Sequence, residues 1–463
     1  MAPSKLLLTV LVMLNLSLAM LAQYTPPPPC TASLQSSMLC VIPQTYGLNG
    51  LILPNPNHAA HFEGSESDAF FKPLNVSVGT ELSLLSIGSP ASGVLLSFDK
   101  SLGVVTQSSE SFGPILAERA ETTGRHRFLF GGAYQYFHFT SLDGIDLNHL
   151  PVVITHVQFP IGGVYPPYEQ DYTTTTNRID LKANQVTLYG SFGLTNRIDV
   201  SVSIPIRRVS EGVTSNAHIV RIATQPVYPG DPYYSSSFSL TPGGPGYFHF
   251  FDATDPAGSV DKVFSNSKTA SGIGDVDFRV KGTVLNGEHT RVALGMDFRT
   301  PTGDANNFLG SGAPGFKPFL AASYRARISP HVNLGFEYNG SSILAGNVGT
   351  GASGKLPNEF FYSFGADARA SKRLTLAADL LGTRLSGTQR IRRVPFVDIA
   401  GTTHSSIPQI ALYKSSVNME DIALGAKYSL WGNLLLTGNI TIQVNDGGLR
   451  ARVVPLGSLS YSF

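Results

Sequence analysis

Residues 274–284 read Gly-Asp-Val-Asp-Phe-Arg-Val-Lys-Gly-Thr-Val, and residues 291–300 read Arg-Val-Ala-Leu-Gly-Met-Asp-Phe-Arg-Thr. In the first, Asp275, Asp277, Arg279 and Lys281 alternate with Val276, Phe278, Val280 and, past Gly282, Val284. In the second, Arg291, Asp297 and Arg299 alternate with Val292, Leu294, Met296 and Phe298. A period of two belongs to a strand and not to a helix. Asn286-Gly287 between the two runs is strong hairpin chemistry. The hairpin therefore has one ionic face and one oily face.

The same alternation recurs on both sides of this hairpin. Lys317, Ser323, Arg325 and Arg327 face away from Leu320, Ala322 and Tyr324; Asn333, Glu337 and Asn339 oppose Leu334, Phe336 and Tyr338. Asp367 and Arg369, Asp379, Asp421 and Lys427 each stand on polar faces of further apolar strands. Upstream, Asp199, Ser201 and Ser203 oppose Ile198, Val200, Val202 and Ile204. Twelve strands are expected from residue 125 to the end. Tight turns are expected at 194–197, 285–289, 329–331, 371–372 and 431–432, with 446–448 also short. Long connections are expected at 141–181, 209–272, 301–314, 342–357 and 387–416. Alternating short and long connections with an even strand number is the plan of a transmembrane barrel. Strands of about ten residues suit a tilted bilayer crossing, whereas soluble strands run to about five or six. Lipid tolerates no unpaired sheet edge, so the sheet must close. The expected fold is all-β: a transmembrane antiparallel β-barrel of about 12 strands over residues 125–463, in the bacterial outer membrane.

Composition agrees. Charged residues are 14% of the 463, hydrophobic residues 42% and the net charge +1. Low charge with many aromatics excludes a disordered chain, and near-neutrality excludes a basic nucleic-acid binder. Lys5 followed by an uncharged run to Ala22, with small residues at Ser17, Ala19 and Ala22, reads as a signal peptide over 1–22. The competing reading is an uncleaved anchor. Residues 23–73 are rich in Pro and Ser and read as a tether. Residues 74–124 form an N-terminal extension able to plug the lumen, to stand as a periplasmic domain or to add two strands. Cys30 and Cys40 are the only cysteines; in an exported chain they are a disulfide candidate, with two free thiols as the alternative.

The last strand places Leu449, Val453, Leu459, Tyr461 and Phe463 on one face, and Phe463 ends the sequence. Its end resembles the C-terminal strand of bacterial outer-membrane proteins, which implies that Leu459, Tyr461 and Phe463 are an assembly signal read by the outer-membrane assembly machinery. Gly272-Ile273-Gly274-Asp275-Val276 through Lys281, followed by Pro301-Thr302-Gly303-Asp304, resembles the outer-membrane proteins of the meta-pathway phenol-degradation family. That family brackets one hairpin with a Gly-Asp strand start and a Pro-Thr-Gly-Asp loop. The resemblance covers about 270–463, and Gly282 stands where the family usually has an aromatic. It implies transport of aromatic or other apolar compounds.

Alternation makes Asp275, Asp277, Arg279, Lys281, Arg291, Asp297, Arg299, Arg325, Arg327, Glu337, Asp367, Arg369, Asp379, Lys427, Arg450 and Arg452 candidates to line the lumen. Bases slightly outnumber acids among the inward charges, so a conducting lumen would lean toward anions. The competing role is structural: cross-strand ion pairs fill a narrow barrel. Twelve strands give a backbone radius of roughly 12 Å. No nucleophile elbow and no zinc-protease motif occurs, and the eleven His residues, among them His126, His138 and His156, lack ligand spacing. No cofactor and no enzymatic activity are expected. The expected function is an outer-membrane channel or transporter for passive uptake of small solutes, apolar or aromatic ones included. The expected partners are membrane lipid, the assembly machinery and the solute, with no nucleic acid. The alternatives are a barrel enzyme acting on lipid, or a closed barrel with adhesive or assembly loops.

Overall fold

The computed structural model describes residues 29–55, 58–60, 62, 67–83, 96–99, 104–107, 111–156, 170–222 and 247–463. The expected signal peptide over 1–22 lies outside the described residues, as does the start of the expected tether. Twelve strands follow one another around a closed antiparallel sheet. They are β1 (Phe128–Leu142), β2 (Tyr172–Gly193), β3 (Ile198–Val220), β4 (Asp277–Asn286), β5 (Thr290–Arg299) and β6 (Gly315–Tyr324). Then come β7 (Ile328–Asn339), β8 (Glu359–Arg369), β9 (Leu374–Val397), β10 (Thr403–Trp431), β11 (Leu434–Gln443) and β12 (Val453–Ser462). Each pairs with its neighbour in sequence, and β12 returns to β1, so the ring of twelve strands closes. The amide of Phe128 donates to Phe463 O at 2.9 Å and the amide of Phe463 to Phe128 O at 2.9 Å, which seals the closing pair.

The deciding hairpin forms as its pattern requires. Arg279 sits opposite Asp297 and Asp277 opposite Arg299 on one face. Phe278, Val280, Leu294, Met296 and Phe298 stand exposed on the outside, while Lys281, Asp297 and Arg299 are buried on the inside. This inverts the arrangement of a water-soluble protein, in which buried charges are rare and a broad apolar surface is a liability. It is the arrangement a hydrocarbon solvent selects. Tyr324, Tyr428, Trp431, Tyr461 and Phe463 are exposed toward the tight-turn end, and Phe298, Phe316, Tyr338 and Phe360 toward the other. They mark two interfacial girdles around the barrel. The chain is an outer-membrane β-barrel.

Three expectations change. The turn expected at 329–331 falls at 325–327 instead, where Ser329 Oγ donates to Ala326 O at 2.9 Å and fixes the bend. The long loop expected over 387–416 is a continuation of β9 and β10, paired out to Val397 opposite Thr403. Alternation persists there because Ile391 and Ile410 are buried inward. Likewise β2 starts at Tyr172, β3 runs on to Val220, and a further strand, Asp261–Ile273, pairs with β3 ahead of β4.

The third change concerns the expected tether. Its described residues are folded inside the outward half of the barrel. Leu34, Met38, Leu39, Val41, Ile42, Leu51 and Leu53 are buried with inward Phe137, Leu181, Val213 and Ile391. Cys30 and Cys40 form a disulfide within this unit. Helix α1 (Ser67–Ser83) buries Phe71, Leu74, Val78 and Leu82, one face at helical spacing. Prolines at its start give this region the composition of a linker, but the apolar residues that follow supply a core. Among the described residues, no helix is long and apolar enough to cross a membrane.

Candidate functional site

In the tight-turn half of the barrel the interior is polar, and residues 111–123 run through it without joining a sheet. Such a segment leaves its backbone groups without ladder partners, and buried backbone groups must find some. Inward side chains of the wall supply them. Asn333 Oδ1 accepts from the amide of Glu118 at 2.7 Å, and its Nδ2 donates to Glu118 O at 2.7 Å. Thr283 Oγ1 donates to Ala120 O at 2.7 Å, and the amide of Ala120 donates to Ser323 Oγ at 3.1 Å. The amide of Thr123 donates to Asp199 Oδ2 at 2.6 Å, and that of Phe112 to Thr375 Oγ1 at 3.0 Å. Lys427 Nζ donates to the carbonyls of Phe112 and Pro114.

Charge joins the same network. Arg279 forms a fork with Asp297, Nε to Oδ1 at 2.6 Å and Nη2 to Oδ2 at 2.7 Å, and also meets Glu118. Arg299 Nη1 lies 2.8 Å from Glu337 Oε1, and Lys317 Nζ lies 3.0 Å from Glu337 Oε2. His331 Nε2 lies 2.5 Å from Asp379, and its Nδ1 lies 3.5 Å from Asp367. Glu121 lies 3.5 Å from Arg291 and 3.9 Å from Arg325.

Asp275 touches this network through Arg299 Nε at 3.7 Å, and its closer partners belong to a loop. Its Oδ1 accepts from the amide of Gly303 at 3.0 Å, and its Oδ2 from the amide of Ser311 at 2.6 Å. A Cβ on Gly310 would come within 2.2 Å of Oδ1, so only glycine lets the loop close on the carboxylate. Thr302 Oγ1 donates to Gly274 O at 2.9 Å and accepts from the amide of Val276 at 2.9 Å. The Gly-Asp and Pro-Thr-Gly-Asp elements thus bind each other. They fold the loop 300–314 inward, where Phe308 and Leu309 enter the core.

Between the inner segment and the wall lies a cavity of about 230 Å³. Glu118, Arg207, Asp277, Arg279, Lys317, Glu359 and the rings of Phe319 and Phe361 are among the residues around it. Arg279 lies over the Phe319 ring at 4.9 Å, and Lys317 over Phe361 at 4.8 Å.

Of the expected lumen residues, Asp275, Lys281, Asp297, Arg299, Glu337, Asp367, Asp379, Lys427 and Arg450 are buried. Asp277, Arg279, Arg291 and Arg325 are half-buried. Arg327, Arg369 and Arg452 are exposed. Arg327 lies in the displaced turn, Arg369 ends β8 with its Nε on Ser371 O at 3.3 Å, and Arg452 sits between Leu449–Ala451 and β12 where the pairing is interrupted. That interruption also turns Leu449 inward, off the face shared by Val453, Leu459, Tyr461 and Phe463. Residues not singled out in the sequence complete the interior: Glu118, Arg119 and Glu121 on the inner segment, Arg207 and Glu211 on β3, and Glu81 on α1. Arg207 and Glu211 share the inward parity of β3, a usable signal; the others lie where no periodicity speaks. Burial raises the Glu81 carboxyl to about 8, against the amide of Leu449 that donates to it.

Residues 206–387, less than half of the chain, match the model of a family described as "Putative MetA-pathway of phenol degradation". Both motif elements that carry the resemblance fall inside this stretch. No curated protein matches the sequence. Among solved structures, the chain is similar to an outer membrane channel from Pseudomonas putida F1, at 12% identity and a TM-score of 0.44, over 74% of this chain and 98% of that one. It is also similar to the NanC porin, at 9% identity and 0.31, over 73% and 98%. A FadL homologue from Pseudomonas aeruginosa aligns at 10% identity and 0.28, over 73% and 90%.

Proposed function

We propose that this outer-membrane β-barrel, whose residues 206–387 match the phenol-degradation family, is a passive channel for small solutes with its own N-terminal region seated in the lumen. The cavity of about 230 Å³ beside the inner segment carries the reading. An apolar cavity of about 150 Å³ holds benzene, so this one has room for a single ring with a polar substituent. The rings of Phe319 and Phe361 line it, each with a cation over one face. Around them stand four bases, Arg207, Arg279, Arg299 and Lys317, and six acids, Glu118, Asp275, Asp277, Asp297, Glu337 and Glu359. The wall alone supplies five of these acids against the four bases, and Glu118 of the inner segment adds the sixth. Neutral or cationic solutes are therefore preferred at this cavity, against the anion preference expected from the inward charges taken together. Passage requires the inner segment to shift, since its backbone bonds hold it to the wall. Membrane lipid and the assembly machinery, engaged through Leu459, Tyr461 and Phe463, are the proposed partners outside the lumen.

Single-channel conductance in planar bilayers tests this, together with uptake of small aromatic solutes by vesicles. The full chain should open with cation preference. Glu118→Lys should open more often and lose that preference, because a third cation beside Arg279 and Lys281 repels the segment. Vesicles impermeable to every solute, with no openings from either protein, would refute the channel reading.

A further inference from the structure

We propose that His58, His156 and His249 form a binding site for a divalent transition metal of the zinc class. The three come from separate parts of the chain. His58 lies in a turn of the N-terminal unit, His156 directly follows the strand Leu150–Thr155, and His249 lies in the connection between β3 and the strand Asp261–Ile273. Each can place one ring nitrogen so that all three lie within 4.8 Å of one another. All three side chains are buried, none more than 2% exposed.

The surroundings arrange them. Asn55 Nδ2 donates to Phe248 O at 2.9 Å, and the amide of His58 donates to Asn55 O at 3.0 Å. That pair docks the turn carrying His58 beside the residue preceding His249. Phe62 presents its ring edge-on to His156 at 5.6 Å and to His249 at 4.9 Å. His249 Nδ1 lies 2.8 Å from Asp171 Oδ2, and Asp171 Oδ1 accepts from the amide of Ile222 at 2.7 Å. The carboxylate holds the Nδ1 proton and turns the Nε2 lone pair away from itself. A carboxylate behind a ligating imidazole is the usual way to fix the tautomer and raise ligand basicity.

The chemistry selects the ion. Imidazole nitrogens suit zinc, copper and nickel, while calcium and magnesium want oxygen ligands. Three His with one further position for water match a four-coordinate zinc geometry. Zinc–nitrogen bonds of about 2.0–2.1 Å set the nitrogens of a tetrahedral site about 3.3–3.4 Å apart, so the rings would close inward on the ion. A bound ion would tie the N-terminal unit to two outward connections of the barrel. This site is independent of what passes through the lumen.

The test uses tag-free, folded full-length protein in detergent, stripped with chelator and then titrated with zinc sulfate or cobalt chloride. One ion per chain, with the visible bands of tetrahedral cobalt that zinc then displaces, is the expected result. His58→Ala, His156→Ala and His249→Ala should each lose the bands, while His138→Ala should keep them. Asp171→Asn keeps all three ligands and should bind about 10–100-fold more weakly. Folding of every variant is read from its gel mobility before and after boiling. Wild-type protein that retains no ion overturns the proposal. So do folded His variants that bind as wild type. Should the His variants not fold, an Asp171→Asn affinity equal to wild type overturns it as well.

Discussion

Lys281 Nζ on β4 donates to Glu118 Oε1 of the inner segment at 2.7 Å, across 163 positions of sequence. The same ammonium donates to Arg119 O at 3.0 Å and to Glu121 O at 2.8 Å. All three of its protons therefore hold one segment to one strand. Lys281→Met should loosen residues 111–123 by about 1.5–3 kcal/mol, the cost of losing hydrogen bonds to a charged group, since Glu118 keeps Arg279 as a partner. Protease cleavage after Arg119 in the folded barrel measures it. Cleavage as slow as in wild type would show that the hydrogen bonds from Asn333 and Thr283 suffice.

Glu81 ties α1 to the barrel near Leu449, and its carboxyl is raised from 4.5 to about 8, chiefly by burial and secondarily by Asp143. The docked state then binds one more proton than the undocked state between these values. Its contribution is fully present below pH 4.5 and is lost as pH rises through about 8. Docking of α1 should weaken by up to about 1.4 kcal/mol per pH unit across that window. Hydrogen exchange of residues 74–83 at several pH values reads it, and Glu81→Gln should flatten the profile.

Gly295 on β5 lies beneath the ring of Phe319 on β6, and a Cβ there would meet the ring at 2.1 Å. Gly295→Ala should push Phe319 off its seat and cost about 1–3 kcal/mol. Urea unfolding of the barrel in vesicles gives the value. Gly438→Ala is the control, since a Cβ there meets nothing within 4 Å.

Phe463 stacks on Phe128 with ring centroids 5.4 Å apart, beside the backbone pair that closes the sheet. Phe463→Ala keeps those backbone bonds. Refolding in detergent should therefore remain near wild type, while the amount assembled in the outer membrane of cells should fall several-fold. Equal losses in both measurements would assign Phe463 to stability instead of assembly.

Alternation alone settled the barrel. A strand reverses its facing at every residue, so Asp297 against Phe298 already states which solvent lies on each side. Strand number, the deciding hairpin and most inward charges follow from that local rule. The rule fails where pairing is interrupted, which is why Leu449 and Arg452 stand on unexpected sides. It also fails at Arg327, because the placement of a turn depends on which residues the next strand meets.

What fills the barrel was decided only in three dimensions. Residues 29–55 and 111–123 have no period of their own; their place follows from the apolar and polar surfaces that the closed wall presents to them. The same holds for Lys281 with Glu118, and for His58 with His156 and His249, whose positions in sequence are too far apart for any spacing rule. Periodicity records the environment of one strand at a time. Contacts between distant segments exist only after the sheet has closed around them.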